Sequence, residues 1–465
     1  MSTNPALLMT LDRACGVPLH RQIEVSVREA IRAGRLTAGS TIPPSRVLAA
    51  DLGVSRGVVV EAYEQLGAEG YLLGRVGGST QVVGGVSAGV AAAPAVLPTA
   101  PPAKAPLRYD LSYGRADVAH FPRAAWMRAL RSALTNAPND AFGYPAGPGM
   151  PHLRGALAEY LNRVRGTSAE AGNVIVCTGY AQGVGLVIQT LAAAGAARLA
   201  VEDPSSGDDA VPIARAAGLE VIGIPVEEDG ISVDALRASN ADAVILTPAH
   251  QWPTGAVLSA AKRAAIIAWA VERDAVIIED DYDAEYRYDG SPVGAMQGLA
   301  PDRVVYGGSA SKTLAPGIRL GWLIAPPHLS KALADAKISA DRGSPALEQL
   351  ALADLIRRGE IDRHLRRMRP VYRRRRDVLL ASLRTHLPEL RPSGISAGMH
   401  LLTWLPDELS EEVLIARAAA AGIRLDALAP YRLTPGGPGG LVFGYAAINE
   451  SAIPGAIREL ASAIR

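Results

Sequence analysis

At 465 residues, 49% apolar and 20% charged, the chain exceeds one small domain and has material for two or three units with real cores. A formal charge of +1 excludes a global basic field, so any nucleic-acid binding has to come from local placement. Two cysteines, Cys15 and Cys177, exclude a disulfide framework and a cysteine-based metal centre. The start lacks a basic segment followed by an unbroken apolar run, and no stretch of 18 or more apolar residues occurs later. A cytoplasmic chain with no membrane partner is therefore expected.

Apolar residues at helical spacing over Leu19 to Ala33 (Ile23, Val27, Ala30, Ile31) predict a first helix that Gly34 stops. Pro44-Ser45 opens a second short helix through Ala50, Gly53 turns the chain, and Ser55 caps a third helix carrying Val58, Val59, Ala62, Tyr63 and Leu66. That is helix-turn-helix spacing. Gly70 to Leu73 and Gly77 to Val83 then alternate as two short strands about a glycine turn, a wing. In such a module the third helix enters the major groove, which puts Ser55 and Arg56 at base edges, Arg46 beside a phosphate or base, and the side-chain-free tip at Gly77 near the backbone. Residues 1–84 hold eight arginines against seven acids, a net of 8 − 7 = +1, so charge alone does not reveal a reader. On spacing alone the segment also suits a three-helix protein-interaction module.

From Gly84 to Pro106 alanine, glycine and proline replace any amphipathic period, which marks a linker. Beyond it, apolar runs at 174–177, 199–201, 221–224, 243–246, 276–278, 304–306 and 320–324 alternate with helical stretches, the pattern of an α/β domain, with a smaller lobe after Pro326. The domains read as 1–83, a linker at 84–107, and 108–465.

The α/β part offers the groups that a pyridoxal phosphate site needs: a lysine for the aldehyde, a carboxylate for the pyridine nitrogen, a phenol near the ring hydroxyl and a phosphate cup. In YGGSASKTLAPGIRLGW, Lys312 follows a strand, flanked by Ser309 and Ser311, with Arg319 seven residues on. In AVIIEDDYDAEYRY a buried strand ends in acids. Asp280 is assigned to the nitrogen and Tyr282 to the hydroxyl; alternation gives Asp281 the other face, although a local bend exchanges the two. Tyr180 and Ala181, at a strand-to-helix turn after Gly179, present backbone N–H groups for phosphate. A solvated acidic loop and an ordinary βα turn remain the bland alternatives for these two segments.

PPSRVLAADLGVSRGVVVEAYEQLGAEGYLLGRVGGST resembles the winged helix-turn-helix of GntR-family regulators across nearly all of residues 17–83. That resemblance implies contacts to double-stranded operator DNA from Arg46, Ser55, Arg56 and Gly77; Gly57 stands where threonine is usual. The Lys312 and Asp280 segments, with HQWPTG at 250–255, resemble fold type I aminotransferases. The two together resemble MocR/GabR-type regulators, which implies pyridoxal 5'-phosphate on Lys312, a homodimer and paired half-sites. The chain departs from relatives at Val442, where an arginine often grips an amino acid's carboxylate, at Ser205, Ser206 and Asp208, and at Phe142, where a tyrosine often reaches the partner's phosphate. Cofactor capture without amino-acid capture is the implied function: a regulator like those of pyridoxine biosynthesis, with the cofactor as effector and no catalytic residues. An amine effector and a working aminotransferase are the alternatives.

Overall fold

The computed structural model describes residues 9–74, 79–83, 107–144, 147–205, 207–288 and 293–464, without the side chains of 207–209. The chain divides into two compact units, Met1–Ala103 and Lys104–Arg465.

In the first unit, α1 (Leu19–Arg32) ends just before Gly34, which turns at φ +71°. The second helix, α2 (Ser45–Leu52), runs two residues beyond the expected end because Gly53 itself closes it in the left-handed conformation. Ile23, Val27, Ala30 and Ile31 pack with Val59, Ala62 and Leu66 of α3 (Arg56–Ala68). A hairpin of β1 (Leu72–Gly74) and β2 (Thr80–Val82) closes this core, with Leu72 opposite Val82. The expected wing tip at Gly77 lies outside the described residues.

The second unit opens with β3 (Tyr109–Asp110), α4 (Arg123–Asn136) and α5 (Pro151–Arg165), followed by β4 (Val174–Cys177) and α6 (Tyr180–Ala193). Next come β5 (Arg198–Asp203), α7 (Gly207–Ala216), β6 (Glu220–Glu227), β7 (Gly230–Ile231), α8 (Val233–Ala238), β8 (Ala243–Leu246) and α9 (Ala260–Glu272). The chain continues through β9 (Val276–Asp281), β10 (Val304–Ser309), the single turn α10 (Ala310–Thr313) and β11 (Gly321–Ile324). These strands form one sheet in the order β4-β11-β10-β9-β8-β5-β6-β7, parallel through β10-β9-β8-β5-β6, with β11 and β7 antiparallel to their neighbours. The apolar runs are continuous rather than alternating because helices cover both faces of such a sheet. The carboxyl ends of β4, β9 and β10 share one edge, the usual place for a ligand in this architecture.

Helices α11 (Pro327–Asp341), α12 (Ala346–Arg357) and the long α13 (Glu360–His386) lead to the smaller lobe. It contains β12 (Arg391–Ser393), β13 (His400–Trp404), α14 (Glu411–Ala420), β14 (Ile423–Arg424), β15 (Asp426–Ala427), β16 (Gly440–Gly444) and α15 (Ile453–Ile464), with a sheet ordered β12-β13-β16-β15. The arginine-rich α13 divides by face: Leu365, Met368 and Tyr372 are buried, and Arg375 turns inward to pair with Asp117 at 2.7 Å. Among the described residues no helix is long and apolar enough to cross a membrane.

Both cysteines are free. Cys177 is fully buried on β4, and burial pushes its thiol up to about 12, whereas Cys15 is exposed. A thiol reagent is expected to titrate one equivalent quickly in the folded chain and two after denaturation. Two fast equivalents would show that β4 is not packed as described.

Candidate cofactor site and DNA-reading face

At the carboxyl edge of the sheet, β10 ends at Ser309, whose hydroxyl accepts the Ser311 N–H at 3.0 Å and lies 2.9 Å from the Ser311 hydroxyl. This turn starts α10 and projects Lys312 into a cleft walled by the 109–114 segment. The Lys312 ammonium donates to Gly114 O at 2.9 Å and lies 5.0 Å from the centre of the Tyr113 ring. Tyr113 in turn stacks on Trp252 with 3.4 Å between ring centres, and the Asp426 carboxylate accepts its backbone N–H at 2.8 Å.

Alternation along β9 separates the paired acids. Asp281 turns to the back of the sheet, where the Arg165 guanidinium pairs with it at 2.6 Å and the Tyr306 hydroxyl donates to it at 2.8 Å. Asp280 takes the cleft face and keeps accessible surface at the cleft floor. Desolvation and the neighbouring Asp281 push its carboxyl well above the usual range, and the Lys312 charge opposes them. Tyr282 is buried with its hydroxyl donating to His250 O at 2.9 Å; it lies 3.2 Å from His250 Nδ1, which is also 3.1 Å from Asp283.

The end expected to take the phosphate is built on Gly179, which holds φ +101° at the start of α6. A Cβ there would stand 3.0 Å from the Arg319 guanidinium, which donates to Thr178 O at 2.6 Å. A Cβ on Gly321 would lie 2.7 Å from the Gly179 carbonyl carbon, and Gly321 pairs with Ser309, so these two glycines let Ser309, Arg319 and the α6 terminus converge. The first bond inside α6 runs from Gly183 N–H to Gly179 O, so the N–H groups of Tyr180 and Ala181 face out of the helix end, where an anion is favoured. Gln182 does not join them with its side chain, which accepts from Thr178 N and donates to Asp341.

These residues fit pyridoxal phosphate. An amine, a carboxylate with no hydrogen-bond partner among the described residues, a phenol and an anion cup line one cleft, at positions where a Cβ on Gly179 would crowd the cup.

On the first unit, Arg46, Ser55 and Arg56 are all exposed. Ser55 takes the N-cap position of α3 but makes no side-chain cap bond, a correction to its expected role: its backbone carbonyl, not its hydroxyl, accepts the Val58 N–H at 3.2 Å. Arg56 Nε reaches the Ser45 hydroxyl at 3.4 Å, so the third helix is tied to the start of the second.

Residues 19–82 match the model of bacterial regulatory proteins of the gntR family, and residues 109–450 match that of aminotransferase class I and II. A probable rhizopine catabolism regulatory protein, MocR, of Rhizobium meliloti is 34% identical, over 98% of this chain and 96% of its own. The HTH-type pyridoxine biosynthesis transcriptional regulator PdxR of Corynebacterium glutamicum is 33% identical over 95% of each chain. The chain belongs to the MocR-type regulators of the GntR family. Among solved structures, the α-aminoadipate aminotransferase LysN of Thermus thermophilus, complexed with a phosphopyridoxyl-leucine, superposes with a TM-score of 0.69 at 26% identity, covering 76% of this chain and 91% of that one. A multiple substrate aminotransferase of Thermococcus profundus gives 0.70 at 25%, covering 76% and 90%. This MocR-type regulator therefore carries a fold type I aminotransferase-like domain that binds pyridoxal phosphate.

Several groups of the cleft carry no local signature in the sequence. Tyr113 and Gly114 come from the segment just after β3; behind the sheet, Arg165 comes from the end of α5. Glu202, on β5, accepts from the Thr247 hydroxyl at 2.6 Å and holds the 247–255 segment from below; burial pushes its carboxyl up to about 7. Of the departures noted above, Ser205 bonds the backbone of Tyr431, Phe142 is exposed, and Val442 is fully buried on β16. Ser206 and the side chain of Asp208 lie outside the described residues.

Proposed function

We propose that this regulator binds double-stranded operator DNA through residues 1–83 and holds pyridoxal phosphate on Lys312 within residues 108–465, the intervening stretch serving as linker. In this reading the cofactor is the effector, and vitamin B6 metabolism genes are the targets. Bound there, pyridoxal phosphate supplies an aldehyde for an amine and an electron-accepting ring. Lys312 gives the amine, Asp280 the negative charge facing the ring nitrogen, and Tyr282 the phenol beside the ring hydroxyl. Ser309, Ser311, Arg319 and the N–H groups of Tyr180 and Ala181 hold the phosphate.

The observation that carries the effector reading is Val442. It packs in one buried apolar cluster with Trp252, Tyr282, Leu402 and Leu428, so this wall of the cleft offers no guanidinium for a substrate carboxylate. Amino-acid turnover at ordinary enzyme rates is not expected. The name of the Corynebacterium glutamicum relative supports the target; that of the equally similar Rhizobium meliloti relative favours a second reading, in which another compound is the effector. Operator affinity measured at fixed salt with pyridoxal phosphate, and separately with a panel of amines, separates the two. A shift with the cofactor alone is expected, and a shift with an amine but not the cofactor would overturn the first reading.

In the reader, Arg46, Ser55, Arg56 and the Gly77 tip meet DNA. Loss of a guanidinium bidentate to a base costs about 1–3 kcal/mol, so Arg56→Ala is expected to weaken operator binding by about five-fold or more. An unchanged affinity would remove Arg56 from the interface. The regulator acts in the cytoplasm as a homodimer, which gives the exposed Phe142 and Tyr144 a surface to cover.

A further inference from the structure

Ahead of α1, residues 9–17 fold as an arm onto the DNA-reading unit. Met9 and Leu11 pack against the same core as Leu52 and Val54, the residues on either side of the turn between α2 and α3. The Gln22 side chain pins the arm: its carbonyl accepts the Asp12 N–H at 2.9 Å, and its amide donates to Asp12 O and Val17 O, each at 2.8 Å. The Asp12 carboxylate accepts the Ala14 N–H at 2.8 Å, which bends the chain around Arg13.

Arg13 leaves the arm at that bend. Its Nη2 donates to Gly53 O at 2.6 Å, forty residues on, and the residue is exposed. Gly53 is the left-handed residue that closes α2, and Ser55, two residues later, is the N-cap of α3. The arm therefore places a cation at the turn that leads into the recognition helix. A guanidinium carries five N–H donors, and among the described residues Gly53 O is the one acceptor that Arg13 meets. A latch on the end of α2 needs one donor and no charge. The first residues of a recognition helix sit at base edges, and the major groove is only about 12 Å wide, so a group at the turn beside them faces the phosphates that wall the groove.

The charged groups of the arm and of residues 45–56 are Arg13, Arg46 and Arg56 against Asp12 and Asp51. Asp12 is turned to Ala14, and neither acid forms an ion pair with Arg13 among the described residues. The set is nearly balanced, so attraction to DNA comes from where each arginine stands and not from a net field.

We propose that Arg13, held by the Gln22-pinned arm and by Gly53, donates to the phosphodiester backbone of double-stranded DNA and positions α3 in the groove. This contact rests on the DNA-reading function proposed above, and it comes from outside residues 19–82, the stretch that matches the gntR family. Phosphate contacts position a protein without reading sequence, so Arg13 adds affinity for any duplex, whereas Arg56 discriminates among them.

The probe is a duplex that the full-length wild-type chain selects from a random-sequence library, with a scrambled duplex of the same length and composition beside it. Fluorescence anisotropy gives the affinity for each across a series of salt concentrations. Arg13→Gln removes the charge and keeps a donor for Gly53 O, and Arg13→Lys keeps the charge. Arg13→Gln is expected to weaken binding of both duplexes by the same factor, about three-fold or more. It should also lower the slope of log affinity against log salt by about one per bound chain. Arg13→Lys should keep the wild-type slope, and Arg56→Ala should lose the selected duplex more than the scrambled one. A wild-type slope in Arg13→Gln overturns the phosphate contact and leaves the bond to Gly53 as a latch. A slope lost equally in Arg13→Lys, or a loss in Arg13→Gln confined to the selected duplex, overturns it as well. Failure of the wild-type chain to select any duplex would instead overturn the DNA-reading function on which the contact rests.

Discussion

Replacing Lys312 by alanine is expected to abolish covalent retention of pyridoxal phosphate altogether. The ammonium is the one amine placed against Gly114 O and the Tyr113 ring with Asp280 on the same floor, and its removal leaves the cup of Ser309, Ser311, Arg319 and the α6 terminus intact. The cup alone still offers charge-assisted hydrogen bonds to a phosphate, so weak, reversible binding should persist. Borohydride reduction followed by mass measurement separates the two states. Wild type should gain one cofactor per chain and Lys312→Ala none, while equilibrium dialysis still detects the loose complex. Undiminished covalent labelling in the variant would move the anchor to another lysine.

The second large effect lies behind the cleft. Asp281 and Arg165 are 3% and 5% exposed, and with Arg165 replaced by methionine the carboxylate keeps only the Tyr306 hydroxyl. Breaking a buried pair by removing one partner typically costs about 3–5 kcal/mol, because the remaining charge is neither solvated nor neutralised. Arg165→Met should therefore lower the unfolding free energy of the second unit by that amount in denaturant titrations. Arg165→Met/Asp281→Leu should recover most of it, since exchanging both partners for apolar groups is often close to neutral. A single variant as stable as wild type would mean that Arg165 and Asp281 are not the buried pair described.

These two effects also divide what the sequence makes legible from what it does not. The three helices of the reader follow from an apolar period with glycine stops at Gly34 and Gly53, and seven strands from apolar runs, because both signals are local. Lys312, Ser309, Ser311 and Arg319 fall within eleven residues of chain, so their grouping is visible before any fold is known. Alternation along β9 likewise separates Asp280 from Asp281, but only the sheet's burial on both faces requires that Asp281 have a partner. That partner lies 116 residues away at the end of α5, where Arg165 reads as one more arginine in a helix rich in them. Tyr113 and Gly114, the latter 198 residues from Lys312, are equally silent, since nothing in a short loop specifies which strand edge it will cross. The wing shows the opposite limit: alternation suggests a strand from Gly70, but β1 begins only at Leu72.

For the cofactor to act as effector, its capture at Lys312 has to be felt by the DNA-reading unit. Operator affinity of wild type and Lys312→Ala, compared at one salt concentration with and without saturating pyridoxal phosphate, measures this directly. A cofactor-dependent change of several-fold or more in wild type that disappears in Lys312→Ala is the predicted result. The same affinity with and without cofactor in wild type, or an undiminished response in Lys312→Ala, would contradict it.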